Sequence, residues 1–538
     1  MQMLPYFVII PILVAVFLYL FPFEKAARSI AIVVQVGLTV ATFFLFYISR
    51  GGEIVNTIGH YYAVLSITLR VDTLSAAFVV LTSFIFLMAA IYSYSDNRSR
   101  LFWFLLFLWE ASLIGLFLTG DLFNIFVLSE VGTVVISVLI MYIRRKRSMY
   151  DGMIYLMINV VVMQFYVFGL GYVYMLTGVL DIQAVSYALG YIENSQLILP
   201  YALIMTFIAL KCALVPIFSW LPKAHSTPGA PPAVSAVLSG LHIKSGVYLF
   251  LRVQSIFGDV AITDFFIIIG VVTAIVGIVM ALGQTNIKLI LAYSTVAQIG
   301  LIFIGLSYGD SYNYVGSLFH VFNHAIFKTA LFFGAGMIIK VYRTKDVTVI
   351  RGVYKKMPTV AVALIFAILG IIGTPLFSGS ISKYFLMFGT DGVLYILLVF
   401  INMGTITVFI KFATIFFGTP EITQITTKKQ KRSFSEKPSL WQTVPVVILG
   451  VLCLMLGVLG EQFMGFMFYV NKNVSIIGYI EKSGIFIGSL IVAYLLYRYM
   501  IKDNARLLRL GKMEMGFKVM VTAIGVFFAL VIVAVGFI

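Results

Sequence analysis

The stretch ILPYALIMTFIALKCALVPIFSWL, residues 198–221, is apolar except for one lysine, Lys211, near its middle. About 20 consecutive apolar residues suffice for a helix to cross the hydrocarbon core of a bilayer, so the stretch predicts a membrane span. Pro216 lies shortly after the lysine. Because a proline removes a backbone donor and crowds the preceding turn, we expect the helix to open locally there. Openings of this kind occur in membranes only beside protein or water-filled space.

The rest of the chain has the same apolar character. Of its 538 residues, 61% are hydrophobic and 11% are charged, which leaves too little charge for the surface of a soluble protein of this length. We therefore predict an all-α polytopic membrane protein with about 14–16 transmembrane helices. Candidate spans lie at about 4–22, 28–49, 72–94, 101–119, 120–142, 153–176, 198–221, 231–256, 263–283, 289–307, 313–340, 360–388, 391–417, 440–460, 474–499 and 516–538.

The net charge of +16 is a topology signal and does not indicate a nucleic-acid partner. Basic clusters such as residues 144–147 and 428–437 follow odd-numbered spans, whereas connections after even-numbered spans are poorer in Lys and Arg and often acidic. This alternation follows the positive-inside rule. It predicts a multi-pass protein of the cell membrane with its N-terminus outside. The excess of basic residues also gives some attraction to anionic lipid.

A second break predicts internal repetition. Pro375, with Gly373 and Gly379, interrupts the span that contains Lys383. The two broken spans, the seventh and the twelfth, are five apart, and broken helices at corresponding places are typical of transporters with inverted repeats. We therefore predict two inverted five-helix repeats. The predicted organisation is N-terminal helices 1–3 in residues 1–100, the two repeats in 101–257 and 258–417, and a cytoplasmic loop with C-terminal helices in 418–538.

Four charged residues lie near the middle of apolar spans: Glu130, Lys211, Lys244 and Lys328. Each costs roughly 2.5–3.5 kcal/mol on insertion scales, so such residues indicate an ion or proton route. A Glu130–Lys211 pair separated by about 6–7 Å would interact by roughly 2.5 kcal/mol, enough to change the charge of the lysine. The alternative is a static ion pair that fixes helix packing. The excess of lysines over acids favours lysines that are neutral part of the time.

His320, His324 and Lys328 fall at i, i+4 and i+8, which stacks them along one helix face over about 12 Å. Imidazole both accepts and donates a proton near neutral pH, so the column suits proton shuttling. The alternative is a polar stripe that bonds neighbouring helices.

Glu110 and His242 are possible accessory residues. Glu110 lies near a span centre, where it either extends a relay towards Glu130 or forms a helix contact. His242 precedes Lys244 by two residues, so it lies on roughly the opposite side of the helix. A structural role is the simpler interpretation of His242. The two cysteines form no metal pair, the histidines lack accompanying thiols or carboxylates at ligand spacing, and there is no glycine-rich phosphate loop. The sequence therefore predicts neither a metal nor a cofactor.

Six ordered motifs carry a resemblance that covers roughly residues 72–417. They are FLTGDLFNIFVLSE at 117–130, LKCALVPIFSWLPKAHSTPGAPPAVSAVLSG at 210–240, IKSGVYLFLR at 243–252, NIKLILAYSTVAQIG at 286–300, HVFNHAIFKTALFFGAG at 320–336 and GTPLFSGSISKYF at 373–385. With them the chain resembles the antiporter-like proton-translocating family shared by respiratory complex I, membrane-bound hydrogenases and Mrp-type cation/proton antiporters. FLTGDLFN is most similar to the D-type component of Mrp antiporters.

The resemblance implies about fourteen helices, two inverted five-helix repeats and a hydrated axis of charge across the middle of the membrane. It implies ion-pathway roles for seven residues, which are Glu130, Lys211, Lys244, His320, His324, Lys328 and Lys383. Some members of the family have a glutamate at the position of Lys383. The implied partners are other membrane subunits, lipid, H⁺ and possibly Na⁺.

The sequence thus predicts the proton- or cation-translocating subunit of a multisubunit complex, without a catalytic centre of its own. Two alternatives remain. A self-sufficient Mrp-type Na⁺/H⁺ antiporter without a redox module would exchange ions as purified protein in liposomes. A non-conducting structural subunit would leave pumping intact when Lys244 is neutralised.

Overall fold

The computed structural model describes residues 3–20, 23–59, 66–96, 98–419, 438–470, 472 and 474–536, with the backbone alone at 259. Most of the predicted cytoplasmic loop, residues 420–437, lies outside this part. The α-helices described are α1 (Tyr6–Leu20), α2 (Glu24–Ser49), α3 (Thr73–Ser93), α4 (Arg100–Leu118), α5 (Leu122–Ile140), α6 (Lys146–Thr177), α7 (Ile182–Leu189), α8 (Asn194–Lys211), α9 (Trp220–Ser226), α10 (Pro232–Val237), α11 (Ile243–Phe257), α12 (Thr263–Leu282), α13 (Ile287–Ser307), α14 (Ser311–Tyr342), α15 (Val353–Lys356), α16 (Pro358–Ile372), α17 (Ser378–Leu386), α18 (Gly392–Ala413), α19 (Leu440–Val458), α20 (Gly460–Phe468), α21 (Ile476–Leu496), α22 (Ala505–Gly511) and α23 (Phe517–Gly536).

The predicted fold class is confirmed. Among the described residues, 14 helical segments are long and apolar enough to cross a membrane, and α1 and α16 are shorter apolar helices. Together they account for every span expected from the sequence. In the described part of the chain the strands are β1 (Ile54–Ile58) and β2 (Ile67–Val71), an antiparallel pair in which Ile54 faces Val71.

Both predicted helix breaks are present. Helix α8 ends at Lys211, Ala213 has a left-handed backbone with φ of 52°, and helical structure resumes at α9. The second break separates α16 from α17. There a Cβ atom on Gly379 would lie 1.9 Å from the carbonyl oxygen of Gly370, so only glycine lets α17 approach the end of α16 this closely.

The structure also contains a discontinuity that the sequence analysis did not predict. Between α10 and α11 the chain forms a π-helical segment, Leu238–His242. Inserted π turns are frequent at functional sites because they re-aim the side chains that follow. Here the segment ends at His242 and places Lys244 in the first turn of α11.

The chain divides into two compact units. One contains the described residues within Met1–Val234, Leu241–Phe265 and Met515–Ile538, and the other those within Ser235–Gly240 and Phe266–Glu514. In the first, α6 packs on α8, and the last helix, α23, packs on both. In the second, the long helix α14 packs against α13, α16, α17 and α19. The repeat and domain boundaries given above stay predictions.

One feature recurs in both units. In the first, an isolated antiparallel bridge joins Asp121 to Asp181, and in the second a bridge joins Asn286 to Asp346. The second pair lies 165 positions after the first at both residues (286 − 121 and 346 − 181). Five candidate spans separate the first residue of one bridge from that of the other. This recurrence supports the predicted repeats; their inversion stays a prediction.

Candidate functional site: buried lysines beside helix breaks

Lys211 is buried at the point where α8 ends. Its side chain is 4% exposed, and its ammonium group donates hydrogen bonds to Thr133 Oγ1 at 3.0 Å and Asn159 Oδ1 at 2.9 Å. Both acceptors are uncharged and come from neighbouring helices, α5 and α6. The break in α8 therefore directs the lysine between these two helices.

Glu130 lies one turn before Thr133 on α5 and is half-buried. It is close enough to Lys211 for an electrostatic interaction. It is not, however, among the hydrogen-bond partners of that ammonium group in the described part of the chain, because Thr133 and Asn159 occupy this role. The expected Glu130–Lys211 pair is thus a through-space interaction and not a direct contact.

Next to Lys211 lies a cavity of about 10 Å³, which His242 and Ser245 also line. A cavity of roughly 10–15 Å³ is the smallest that holds a water molecule. His242 is buried, its ring lies 5.9 Å from that of Trp109, and its Nδ1 has no hydrogen-bond partner among the described residues. His242 therefore faces Lys211, although the sequence favoured a structural role for it.

Lys244 is fully buried in the first turn of α11. Its helix packs closely against the break in α8, since a Cβ atom on Gly246 would lie 2.6 Å from Cys212 Sγ and 3.0 Å from the carbonyl carbon of Lys211. The same unit thus contains Lys211, Lys244, His242 and Glu130. Because Gly246 has no Cβ atom, it lets the two elements that carry Lys211 and Lys244 approach this closely.

The predicted histidine column lies on α14, with both rings fully buried. The ring centroids of His320 and His324 are 6.5 Å apart. His320 is held from both sides, with Nδ1 2.9 Å from Ser382 Oγ and Nε2 3.0 Å from Gln298 Oε1. Ser382 immediately precedes Lys383, so the column reaches the helix that carries the last lysine of the predicted set.

Lys328, at the end of the column, is also fully buried. Its ammonium group donates to the carbonyl oxygen of Leu291 at 2.9 Å and to the hydroxyl group of Ser294. Its Nζ also lies 5.8 Å from the centre of the Phe409 ring. As at Lys211, every hydrogen-bond acceptor is neutral.

Lys383, on α17, is 5% exposed. Its ammonium group donates to Asn402 Oδ1 and to the carbonyl oxygen of Ile371, each at 2.7 Å. The Ile371 carbonyl belongs to the last turn of α16, where the break leaves carbonyl groups without helical partners and the helix dipole favours a cation. A cavity of about 60 Å³ adjoins Lys383, and Tyr479 and Lys482 of α21 form part of its wall.

Glu110 lies apart from these groups, between α4 and α2. It is 1% exposed, and its Oε1 accepts a hydrogen bond of 2.6 Å from Gln35 Nε2. Its Oε2 has no hydrogen-bond partner among the described residues. The observed contact is one between helices; a role in a relay towards Glu130 stays a prediction.

Comparison with known proteins shows the family of the chain. The model of the family described as NADH:quinone oxidoreductase/Mrp antiporter, transmembrane, matches residues 119–411. The chain belongs to this family. The matched region contains Glu130, Lys383 and every predicted pathway residue between them.

The chain is similar to components of both NADH-quinone oxidoreductase and a Na(+)/H(+) antiporter. The chain is 29% identical over 422 residues to the N-type component of NADH-quinone oxidoreductase from Desulforudis audaxviator, a match that covers 74% of this chain and 83% of the relative. It is 27% identical over 390 residues to the D-type component of the Na(+)/H(+) antiporter from Alkalihalophilus pseudofirmus, covering 71% and 79%. A solved structure of the Mrp complex from Dietzia sp. contains a chain with the same fold, at a TM-score of 0.79 and 24% identity, covering 92% of this chain and 99% of that one.

Sequence reasoning missed the neutral partners of the lysines and further buried lysines, among them Lys411. Thr133, Asn159 and Asn402 carry no distinctive signal, because small polar residues are common in apolar spans. Lys411, in α18, donates to the carbonyl oxygens of Leu282 and Gln284, both at 2.6 Å. A single cation near the end of an apolar span was its only signal, and its contacts are those of a cap on the C-terminus of α12.

Proposed function

We propose that this chain translocates protons, or another monovalent cation, as the antiporter-like subunit of a multisubunit complex of the cell membrane, with its N-terminus outside. Protons load Lys211 and Lys244 and pass towards Lys328 and Lys383, with His324 and His320 as the groups between these last two lysines. The negative charge of Glu130 sets the affinity of Lys211 for a proton.

The observation that carries the proposal is the absence of carboxylate partners at three buried lysines. In the described part of the chain, the hydrogen bonds of Lys211, Lys328 and Lys383 all go to hydroxyl, amide or backbone carbonyl oxygens. A static salt bridge would pair each ammonium group with a carboxylate, because an unpaired buried charge is costly. Neutral partners leave the lysine free to exist as an amine or as an ammonium, which is what a relay of protons requires.

The driving force for transport comes from partner subunits or from a coupled ion gradient. A membrane potential supplies only about 2.3 kcal/mol per charge per 100 mV. Relatives named for NADH-quinone oxidoreductase and for a Na(+)/H(+) antiporter are of similar identity, so a gradient-driven Mrp-type antiporter is the second candidate.

The test is ion transport by the complete complex in membrane vesicles after removal of Lys244 or Glu130. We expect Lys244→Ala and Glu130→Ala to abolish transport while assembly remains largely normal. Lys355→Ala, which alters an exposed lysine, is the control and should transport normally. Transport retained by a well-assembled Lys244→Ala complex would contradict the relay and favour a non-conducting structural subunit.

A further inference from the structure

A cavity of about 430 Å³ lies at the C-terminal end of α11, the end predicted to face the outside. It is many times larger than the roughly 10–15 Å³ that one water molecule requires. It is lined mainly by charged and polar side chains. These include Glu53, Arg70, Asp72, Thr119, Gln183 and Arg252.

The charges of this outer cavity are paired with one another. Arg252 Nη2 lies 2.6 Å from Asp72 Oδ1. Arg70 contacts Asp181 at 3.1 Å and Glu53 at 3.7 Å. The lining carries two acids and two bases, and Asp181, which is not part of the lining, adds a third acid, so the excess of charge is small. Partly exposed ion pairs of this kind are well solvated, so water is the occupant that the lining fits.

Tyr248 forms the floor of the cavity. Its ring packs between those of Phe78 and Phe117, at centroid distances of 5.3 and 5.0 Å, and its hydroxyl group donates to the Phe117 carbonyl oxygen at 2.9 Å. The guanidinium carbon of Arg252 lies 4.9 Å from the centre of the Tyr248 ring. The floor is thus an aromatic layer, covered on the cavity side by the Arg252–Asp72 ion pair.

Lys244 lies directly beneath this layer in the helix. Lys244, Tyr248 and Arg252 occur at i, i+4 and i+8 of α11, so they share one helix face, with about 6 Å between successive residues along the axis. Lys244 is fully buried, whereas Arg252 reaches the cavity. One aromatic residue therefore separates the lysine from the polar cavity.

We propose that the outer cavity is the aqueous mouth through which Lys244 exchanges protons with the solution outside. Tyr248, held down by the Arg252–Asp72 ion pair, closes the mouth between transfer events. When the closure opens, a hydronium ion in the cavity gives its proton to the amine of Lys244, leaving water and an ammonium group, or the reverse transfer occurs. The proposal rests on the proton-translocating function proposed above.

Cysteine modification tests this mouth. The native cysteines, Cys212 and Cys453, are fully buried, so the wild-type chain provides a quiet background. Ser186 lines the cavity from α7, whereas Ser195 is exposed at the start of α8 and does not line it. Ser186→Cys and Ser195→Cys are therefore a matched pair. Each is treated, in right-side-out vesicles with the complete complex, with a membrane-impermeant cationic methanethiosulfonate.

We expect the reagent to modify both variants from outside, as mass spectrometry would show. Modified Ser186→Cys should transport about tenfold more slowly or worse, since a fixed positive charge lowers the local concentration of cations. Modified Ser195→Cys should be unaffected. Ser255→Cys, at a second position in the cavity lining, should behave like Ser186→Cys and guards against a local folding defect.

Three results would overturn the mouth. They are complete modification of Ser186→Cys and Ser255→Cys without loss of transport, modification from the inner side alone, and failure of both thiols to react. The first and third leave the proposed function intact if the unmodified variants and the wild type transport ions, whereas the second would also contradict the orientation with the N-terminus outside. Loss of transport by Lys244→Ala with no effect of cavity modification would likewise locate the entry elsewhere. A wild-type complex that transports no ions would instead contradict both the proposed function and the proposed aqueous mouth.

Discussion

Buried lysines with neutral partners define this molecule at the residue scale. Lys211, Lys328 and Lys383 are each held by two oxygen acceptors supplied by neighbouring elements. A hydrogen bond to a charged group contributes about 1.5–3 kcal/mol, which offsets part of the cost of burial without fixing the charge as a carboxylate would. These acceptors are therefore positioning groups, and their removal should affect transport.

Asn159→Ala tests the positioning of Lys211. Because it removes the acceptor at 2.9 Å, the ammonium group loses one of its two described partners. We expect transport to fall at least several-fold while the subunit still assembles, measured as ion flux in vesicles normalised to assembled complex. Asn194→Ala, at an exposed position, is the control. Undiminished flux in Asn159→Ala would mean that the position of this lysine does not limit transport.

Asp181, in the connection between α6 and α7, provides a prediction for pH. Burial raises its pKa, but hydrogen bonds from Thr68 and the Ala184 N–H, with the Arg70 guanidinium, lower the pKa below its ordinary value of 3.8. Such a carboxylate stabilises the fold above its unfolded pKa, and this contribution is lost as pH falls through the lowered value. Asp181→Asn should therefore lower the Tm at neutral pH, and the difference should vanish in strong acid. Asp264→Asn, at an exposed acid, should change little; equal Tm values for Asp181→Asn and wild type at neutral pH would refute the prediction.

At the scale of elements, broken helices place the lysines. Lys211 closes α8 at one break, and Lys383 lies on α17 just after the other. Breaks expose carbonyl groups inside the protein, and Lys383 bonds to one of them, Ile371. Tyr479 of α21 donates to Ser380 or accepts from it at 2.9 Å and accepts from the Leu376 N–H at 2.9 Å. Helix α21 thus provides hydrogen-bond partners for polar groups at the second break.

Gly379→Ala should disrupt the second break. A Cβ atom there would lie 1.9 Å from the backbone oxygen of Gly370, which cannot move without displacing α16. Overpacking of this kind typically costs about 1–3 kcal/mol. We expect a lower Tm for the purified complex and weaker transport. Gly488→Ala, in α21 where a Cβ atom would meet nothing within 4 Å, is the control, and identical Tm values for the two variants would contradict the packing.

The helices and both breaks were predictable from sequence, because long apolar runs and Pro–Gly clusters act locally. The π-helical segment Leu238–His242 was not, since it depends on how the neighbouring helices pack. For the same reason the sequence does not predict which acceptor the Lys211 ammonium group reaches, because this depends on helix rotation. In the structure Thr133, one turn from Glu130, accepts the hydrogen bond.

At the scale of the whole molecule, much of the apolar surface is not covered by other residues that the structure describes. Only 11% of the apolar window of α21 and 28% of that of α23 are buried. In a membrane protein such faces meet lipid or neighbouring subunits. Since these faces leave apolar surface for other molecules to cover, we predict that this chain has membrane partners, as proposed above.

Purification in mild detergent, with mass spectrometry of the associated proteins, tests this prediction. We expect several other membrane subunits. Small Mrp-like subunits alone would indicate a gradient-driven antiporter, and iron–sulfur or nickel proteins would indicate a redox-driven pump. A solitary chain that exchanges H⁺ for Na⁺ in liposomes would contradict its assignment to a complex and favour a self-sufficient antiporter.

The most direct measurement is ion flux through two variants of one helix, α14. Lys328→Met replaces a fully buried lysine, and Lys340→Met replaces an exposed one three turns later. Methionine is of similar length and cannot carry a proton, so packing is largely retained while charge is lost. We predict that flux in assembled Lys328→Met complexes is abolished while Lys340→Met complexes transport normally. Equal flux in both would show that the buried lysines do not conduct.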